Sequence, residues 1–310
     1  MAERPGKLSF ALVLGAALAS SSCLRDVMMD ETLAAARRAS RSAETLHDYE
    51  AAKNLAYAGV GQLEGFYTLR PSNPDGLYLL TKAWVGVGQA FVLDDYEQAV
   101  ERDDEVDAEY HRLRARAAFR RAQFYGLKLL ELRASGFEQA ATKQQPLRAW
   151  LQENFTDPEA ADELLWLGVA WLSEVGADTE NSETISRLWI GVELVEHAAR
   201  LNEKVEYGLA HAILGGFHAR TVMGELEEAK AHFERALALS GGRYLPIQLT
   251  QATRYYCIRH DKQNYEKVLR GILAAGDPLP EARLANTVAK RKARRYLTNR
   301  VWQEECGFRL

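Results

Sequence analysis

From about residue 48 onward, apolar residues recur every three to four positions, in runs bounded by Gly, Pro or acidic residues. That period puts one apolar stripe on a helix, and the breaks between runs predict short turns. Asp48–Leu69 reads as a helix with Leu55, Ala56, Gly59, Leu63 and Phe66 along one side. Leu77–Val92 is its partner across the breaker Pro71, with Leu80, Ala83, Trp84, Val87 and Phe91 in register. The densely acidic stretch Asp94–Glu109 reads as a solvated linker leading into a long helix, Tyr110–Arg133, whose stripe is Leu113, Ala117, Phe124, Leu127 and Leu130. Short helices follow around Gly136, Pro146 and Pro158. Pro158–Glu174, with Asp157 as its cap, is apolar nearly all round in its second half, the mark of a central helix. Ser182–Leu201, Leu245–His260 and Asn264–Ala274 continue the array. Leu279–Thr298 closes it, with Leu284, Ala285, Val288 and Ala289 expected to be buried.

The clearest unit is the pair Tyr207–Met223 and Gly224–Gly241. Leu226, Ala229, Phe233, Ala236 and Leu237 form an apolar face on the second helix, and Ala212, Gly215, Gly216 and Ala219 let the first approach closely. A helix this short cannot bury its face alone. With Ala229 as the small residue of the second helix, Gly224, Phe233 and Ala236 fall in tetratricopeptide (TPR) register, while Phe217 blurs the first-helix signature. The predicted fold class is therefore all-α, an array of antiparallel helical hairpins that is TPR-like.

Composition changes the picture in one respect. The net charge of −4 over 310 residues gives no reason to expect nucleic acid. The N-terminus is more informative. Arg4 and Lys7 precede an apolar run, Leu8–Ala19, too short to span a bilayer, and Ser20, Ser21, Ser22 and Cys23 follow. This predicts a signal peptide over 1–22, lipidation at Cys23, a tether and opening helix over 23–47, and a helical domain over 48–310. Ser20 stands where a lipobox has Leu, so release as a soluble secreted protein is the alternative. Membrane attachment is expected only through the lipid. Cys257 and Cys306 remain; the envelope permits a disulfide between them, but the expected state is a buried free thiol at Cys257 and a loose one at Cys306.

Candidate chemistry is sparse. Gly59, Gly61 and Gly65 lie inside a helix pattern and read as close helix packing rather than a phosphate loop. Cys257, His260 and Asp261 are neighbours on one turn, a poor geometry for a nucleophile and its base. His211 and His218 share a face two turns apart, too far to share a metal without other ligands. No enzyme activity, cofactor or metal is expected. Trp84, Trp166, Trp171 and Trp189 are candidates for lining an apolar ligand channel, set against a plain role in the core. Lys290, Arg291, Lys292, Arg294 and Arg295 read as the wet face of the last helix.

Four ordered features carry a family likeness: Leu164–Trp171 (LLWLGVAW); the hairpin from Ala210, Ile213, Leu214 and Gly215 through Ala229, Phe233 and Ala236 to Ser240 and Gly241; Tyr255–Leu269 with Asp261 and Tyr265; and Leu284, Ala285 and Asn286 followed by Ala289. In their order and spacing the chain resembles the TatT family, the T component associated with tripartite ATP-independent periplasmic (TRAP) transporters. The resemblance implies a non-enzymatic envelope lipoprotein on the periplasmic side, a homotrimer with a central channel. Its implied partner is the periplasmic solute-binding P component, with which it would exchange an apolar or organic-acid ligand. Arg283, Asn286 and Lys290 are the residues expected to contact that partner. A generic TPR scaffold or pilot lipoprotein, and a direct carrier of small hydrophobic ligands, are the alternatives.

Overall fold

The computed structural model describes residues 24–220 and 225–308. The expected signal peptide, Cys23 and Gly224 lie outside the described residues. Every regular element among the described residues is helical.

Helix α1 covers residues 24–39 and runs into a tight turn, Ser40–Thr45. Helix α2 (Tyr49–Leu69) starts where the Asp48 carboxylate accepts the Ala51 amide at 2.8 Å. Asn73 caps α3 (Pro74–Val87) by accepting the Gly76 amide at 2.8 Å, with Pro74 at the first position. This helix widens into a π turn, Gly88–Val92, and continues as α4 (Leu93–Glu101). The Phe119 ring fills the space beside Gly88, where any Cβ would collide with it. Asp104 caps α5 (Glu105–Arg133). Two short helices, α6 (Phe137–Ala140) and α7 (Gln144–Asn154), lead to α8 (Ala160–Ala177). Then come α9 (Ser182–Ser186), α10 (Leu188–Leu201), α11 (Leu209–His218) and α12 (Leu226–Ser240). Gly241, at φ 59°, stops α12 in the left-handed region. Helix α13 (Leu245–Thr250) passes into a second π turn, Gln251–Tyr256. Helices α14 (Lys262–Ala274), α15 (Arg283–Thr298) and α16 (Arg300–Glu305) complete the chain.

Consecutive helices pack as hairpins, with α5, α8 and α10 forming the middle of the array. As expected, α8 is central: Leu164, Leu165, Leu167 and Ala170 are fully buried. Its approach to α10 is close because both helices carry glycine there. A Cβ at Gly168 would lie 2.7 Å from Val195 Cγ2, and one at Gly191 would lie 2.9 Å from Leu172. The α11–α12 hairpin follows its predicted register. Ala229, Phe233 and Ala236 are fully buried, and the Phe233 ring sits where a side chain on Gly215 would otherwise be, 2.9 Å from that Cβ position. The array then curls back on itself, because α15 packs on α13 and α14 and also on α2 and the turn Ser40–Thr45.

Several expectations are corrected. Leu55, Leu113 and Phe124 are exposed, at 52%, 47% and 43%. The buried face of α5 is instead built from Ala115, Ala118, Phe119, Ala122 and Tyr125, because neighbours on two sides leave room only for small residues between larger anchors. Gly59, Gly61 and Gly65 face open space, with nothing near a Cβ built on them. The helix expected over Ser182–Leu201 breaks at Arg187. On α15, Leu284, Ala285 and Val288 are only partly covered, and Asn286, Ala289, Lys292, Ala293 and Arg295 are the buried positions. Cys257 and Cys306 form a disulfide across a 49-residue separation, Cα atoms 4.7 Å apart, because α16 folds back onto the end of the π turn.

The largest correction concerns charge. Asp94 and Glu97 are buried, not solvated, and Arg291, Lys292 and Arg295 of α15 are their partners, whereas Arg294 stays exposed on the wet face. Arg295 donates to Asp94 Oδ1 at 2.7 Å and to Glu97 Oε2 at 2.5 Å, and its Nε lies 3.1 Å from Glu101. Lys292 reaches Glu97 at 2.7 Å and Arg291 reaches Asp94 at 2.9 Å. The Tyr49 and Tyr296 hydroxyls donate to the same two carboxylates. Burial by itself would raise the Asp94 carboxyl; Arg295 and Arg291 overcome this and hold it below the ordinary carboxylate value.

Candidate functional site

The feature that draws most elements together lies between α1, α3, α8 and the turn Val205–Gly208. A cavity of about 270 Å³ opens there. Its walls are polar: Arg37, Arg38 and Arg41 from the α1 side, Tyr78 and Lys82 from α3, and Asp162 from α8. Lys82 sits within an otherwise apolar helix, with its ammonium 4.9 Å from the centre of the Trp166 ring. It donates to Glu206 at 2.5 Å and pairs with Glu44 at 2.9 Å. Burial by itself would lower the Lys82 ammonium, but Glu206, Tyr78 and Glu44 together push it up, so it stays protonated.

The backbone at Glu206 is held against its preference. Glu206 and Tyr207 have φ of 46° and 60°, followed by Gly208 at 86°. Side chains other than glycine rarely occupy this region, and such strain persists only where surroundings enforce it. Here the Lys82–Glu206 pair holds one residue, and the Tyr207 ring, stacked on Tyr244 at 4.9 Å, holds the next.

The cavity contains unmet hydrogen-bonding capacity. The Tyr78 hydroxyl donates to Asp162 Oδ2 at 2.5 Å, but Asp162 Oδ1 is buried without a partner. Behind Lys82 and outside the cavity lining, Trp166 Nε1 is also buried and unpaired. Arg37 lies over the Tyr78 ring at 3.9 Å and is held by Asp75 and Glu163. Arg38 and Arg41 are exposed at the rim. The arrangement therefore offers guanidinium groups outside and an acceptor within, a combination that suits a small polar molecule carrying both an anionic group and a hydrogen-bond donor.

The four tryptophans do not share this cavity. Trp171 is buried against Phe137 and under Arg187. Trp84 donates to Glu64 at 2.8 Å, a carboxylate that also takes Arg121 and Tyr125 and so ties α2 to α3 and α5. Trp189 packs on the central core. Trp166 alone approaches the site, through Lys82. Of the expected partner contacts, Asn286 is buried, accepting the Leu245 amide and donating to the Arg243 carbonyl. Arg283 bonds Asp277 and the Thr45 carbonyl, and Lys290 bonds the Gly276 carbonyl. A second, open groove of about 610 Å³ lies along α15 and α16, with Arg291, Arg294, Arg295 and Arg300 among its lining residues.

Sequence reasoning passed over Arg37, Lys82, Asp162 and Glu206. A signal was present: a lysine between Leu80 and Trp84 in an apolar run demands a buried counter-charge.

Fold and site together define an all-α helical-repeat scaffold. More particularly, residues 46–301 match the family described as TRAP transporter T-component, and the chain belongs to that family. It is thus an accessory component of a transporter of the cell envelope, from a family that is not one of enzymes. Among curated proteins none matches it.

Proposed function

We propose that this chain is a non-enzymatic lipoprotein, anchored through Cys23 on the periplasmic side, that binds the solute-binding P component of its TRAP transporter and handles that component's ligand. The observation carrying the ligand reading is the unpaired Asp162 Oδ1 beside Lys82 and the rim arginines. It favours an organic acid with a hydroxyl or amino group over an apolar ligand. The Cys257–Cys306 disulfide suits an oxidising compartment. In the groove along α15 and α16, exposed Arg294 and Arg300 suit an acidic partner surface. Exposed Leu55, Leu113 and Phe124 on the neighbouring helices α2 and α5 supply apolar surface for a homotrimer.

A tagged chain solubilised from membranes is expected to bring down a periplasmic solute-binding protein; recovery of unrelated outer-membrane machinery alone would reject the reading. Cys23→Ser is expected to move the chain to the soluble fraction, and a variant still in the membrane would reject the anchor.

A further inference from the structure

Away from the cavity, three histidines line the seam between α11 and α12. His211 Nδ1 and His232 Nδ1 stand 2.9 Å apart. The His232 ring stacks on that of His218 at 5.4 Å, with 7° between the planes. His218, its side chain 13% exposed, presents Nδ1 to two carboxylates at the start of α12, 2.6 Å from Glu225 Oε2 and 3.3 Å from Glu228 Oε2. The hairpin thus supplies what the sequence spacing of His211 and His218 lacked: further ligands converging on one imidazole.

We propose that His218, Glu225 and Glu228 form a binding site for a divalent cation of the zinc class. Their ligand atoms all lie within 4.8 Å of one another. Around a tetrahedral zinc with bonds of about 2.0–2.2 Å, neighbouring ligand atoms stand roughly 3.3 Å apart. The Glu228 spacing already meets this. Glu225 needs only a small rotation, which its 62% exposed side chain can make without disturbing packing. The stack on His232 fixes the half-buried imidazole, so the rigid ligand is the more enclosed one and the adjustable ligands are at the surface. Two carboxylates match the charge of a divalent ion, and an imidazole in the set selects first-row transition cations over magnesium or calcium. Three protein ligands leave a fourth position for water or for a side chain of a docked protein. A bound cation would join the end of α11 to the start of α12.

The test is titration of the purified full-length chain with Co²⁺, followed by visible absorption, and then displacement with Zn²⁺. One equivalent of Co²⁺ is expected to give saturable d–d bands that Zn²⁺ abolishes, and Zn²⁺ is expected to raise the thermal midpoint. Glu225→Gln/Glu228→Gln changes exposed positions only and is expected to weaken Co²⁺ binding by more than the roughly 10–100-fold typical of losing an outer hydrogen-bond partner. His218→Ala is expected to do the same, whereas His211→Asn keeps wild-type affinity. The proposal is overturned if no saturable bands form, if the Gln/Gln variant binds as tightly as wild type, or if Ca²⁺ displaces Co²⁺ as readily as Zn²⁺.

Discussion

At the residue scale, the fold depends on a few positions whose replacement has a calculable direction. Phe233 is fully buried against Gly215. Phe233→Ala is expected to cost about 3–5 kcal/mol in urea unfolding, and a midpoint that hardly moves would show that the hairpin is not packed as described. Arg295 serves both Asp94 and Glu97. Arg295→Met leaves those carboxylates with fewer partners and is expected to cost about 3–5 kcal/mol, the range for breaking a buried ion pair from one side. The same network sets a pH dependence. Asp94 in the folded chain titrates below its unfolded value, so its contribution is present above about pH 4 and is lost as pH falls through the folded value. Urea midpoints are expected to hold near neutrality and fall in acid, with a smaller acid loss in Arg295→Met. Phe233, Ala229 and Ala236 were legible because one helix and its sequence neighbour define their surroundings. Asp94 and Arg295 were not, since they lie 201 positions apart and each looks solvated within its own helix.

At the scale of elements, periodicity and the breakers Pro71 and Gly241 placed most helices, but the acidic stretch concealed two starts: α4 covers Leu93–Glu101, and α5 begins at Glu105, where the Asp104 carboxylate accepts the amide of Asp107 three positions on. Which face each helix buries was less legible. Helix α5 lies between neighbours on two sides, so Ala115 and Ala118 go inside while Leu113 and Phe124 stay out. Periodicity reads one stripe and cannot tell a two-sided helix from a one-sided one. The cavity shares this limit: Lys82 was visible, but Glu206 and Asp162 reach it only through the packing of α3, α8 and the strained turn. At the C-terminus, the disulfide holds α16 against the π turn. Cys306→Ser is expected to lower stability by about 2–4 kcal/mol, measured by thermal unfolding with and without reductant. The reductant effect should vanish in the variant.

At the scale of the molecule, the array closes because α15 carries the cations that the acidic face of α4 requires, and its two halves meet again at the Lys82 cavity. The proposed homotrimer would use the outer surface of α2 and α5. Leu55→Glu is expected to shift native mass spectra from trimer to monomer with no change in helical content, since Leu55 is not part of the core. The central claim, that this scaffold docks the solute-binding component of its transporter, is tested most directly by measuring binding between the two purified proteins, with the chain immobilised and the P component from the same transporter in solution. Saturable binding is expected, weakened by Arg294→Glu/Arg300→Glu in the groove along α15. Absence of any complex at high micromolar concentration of the P component would contradict the account.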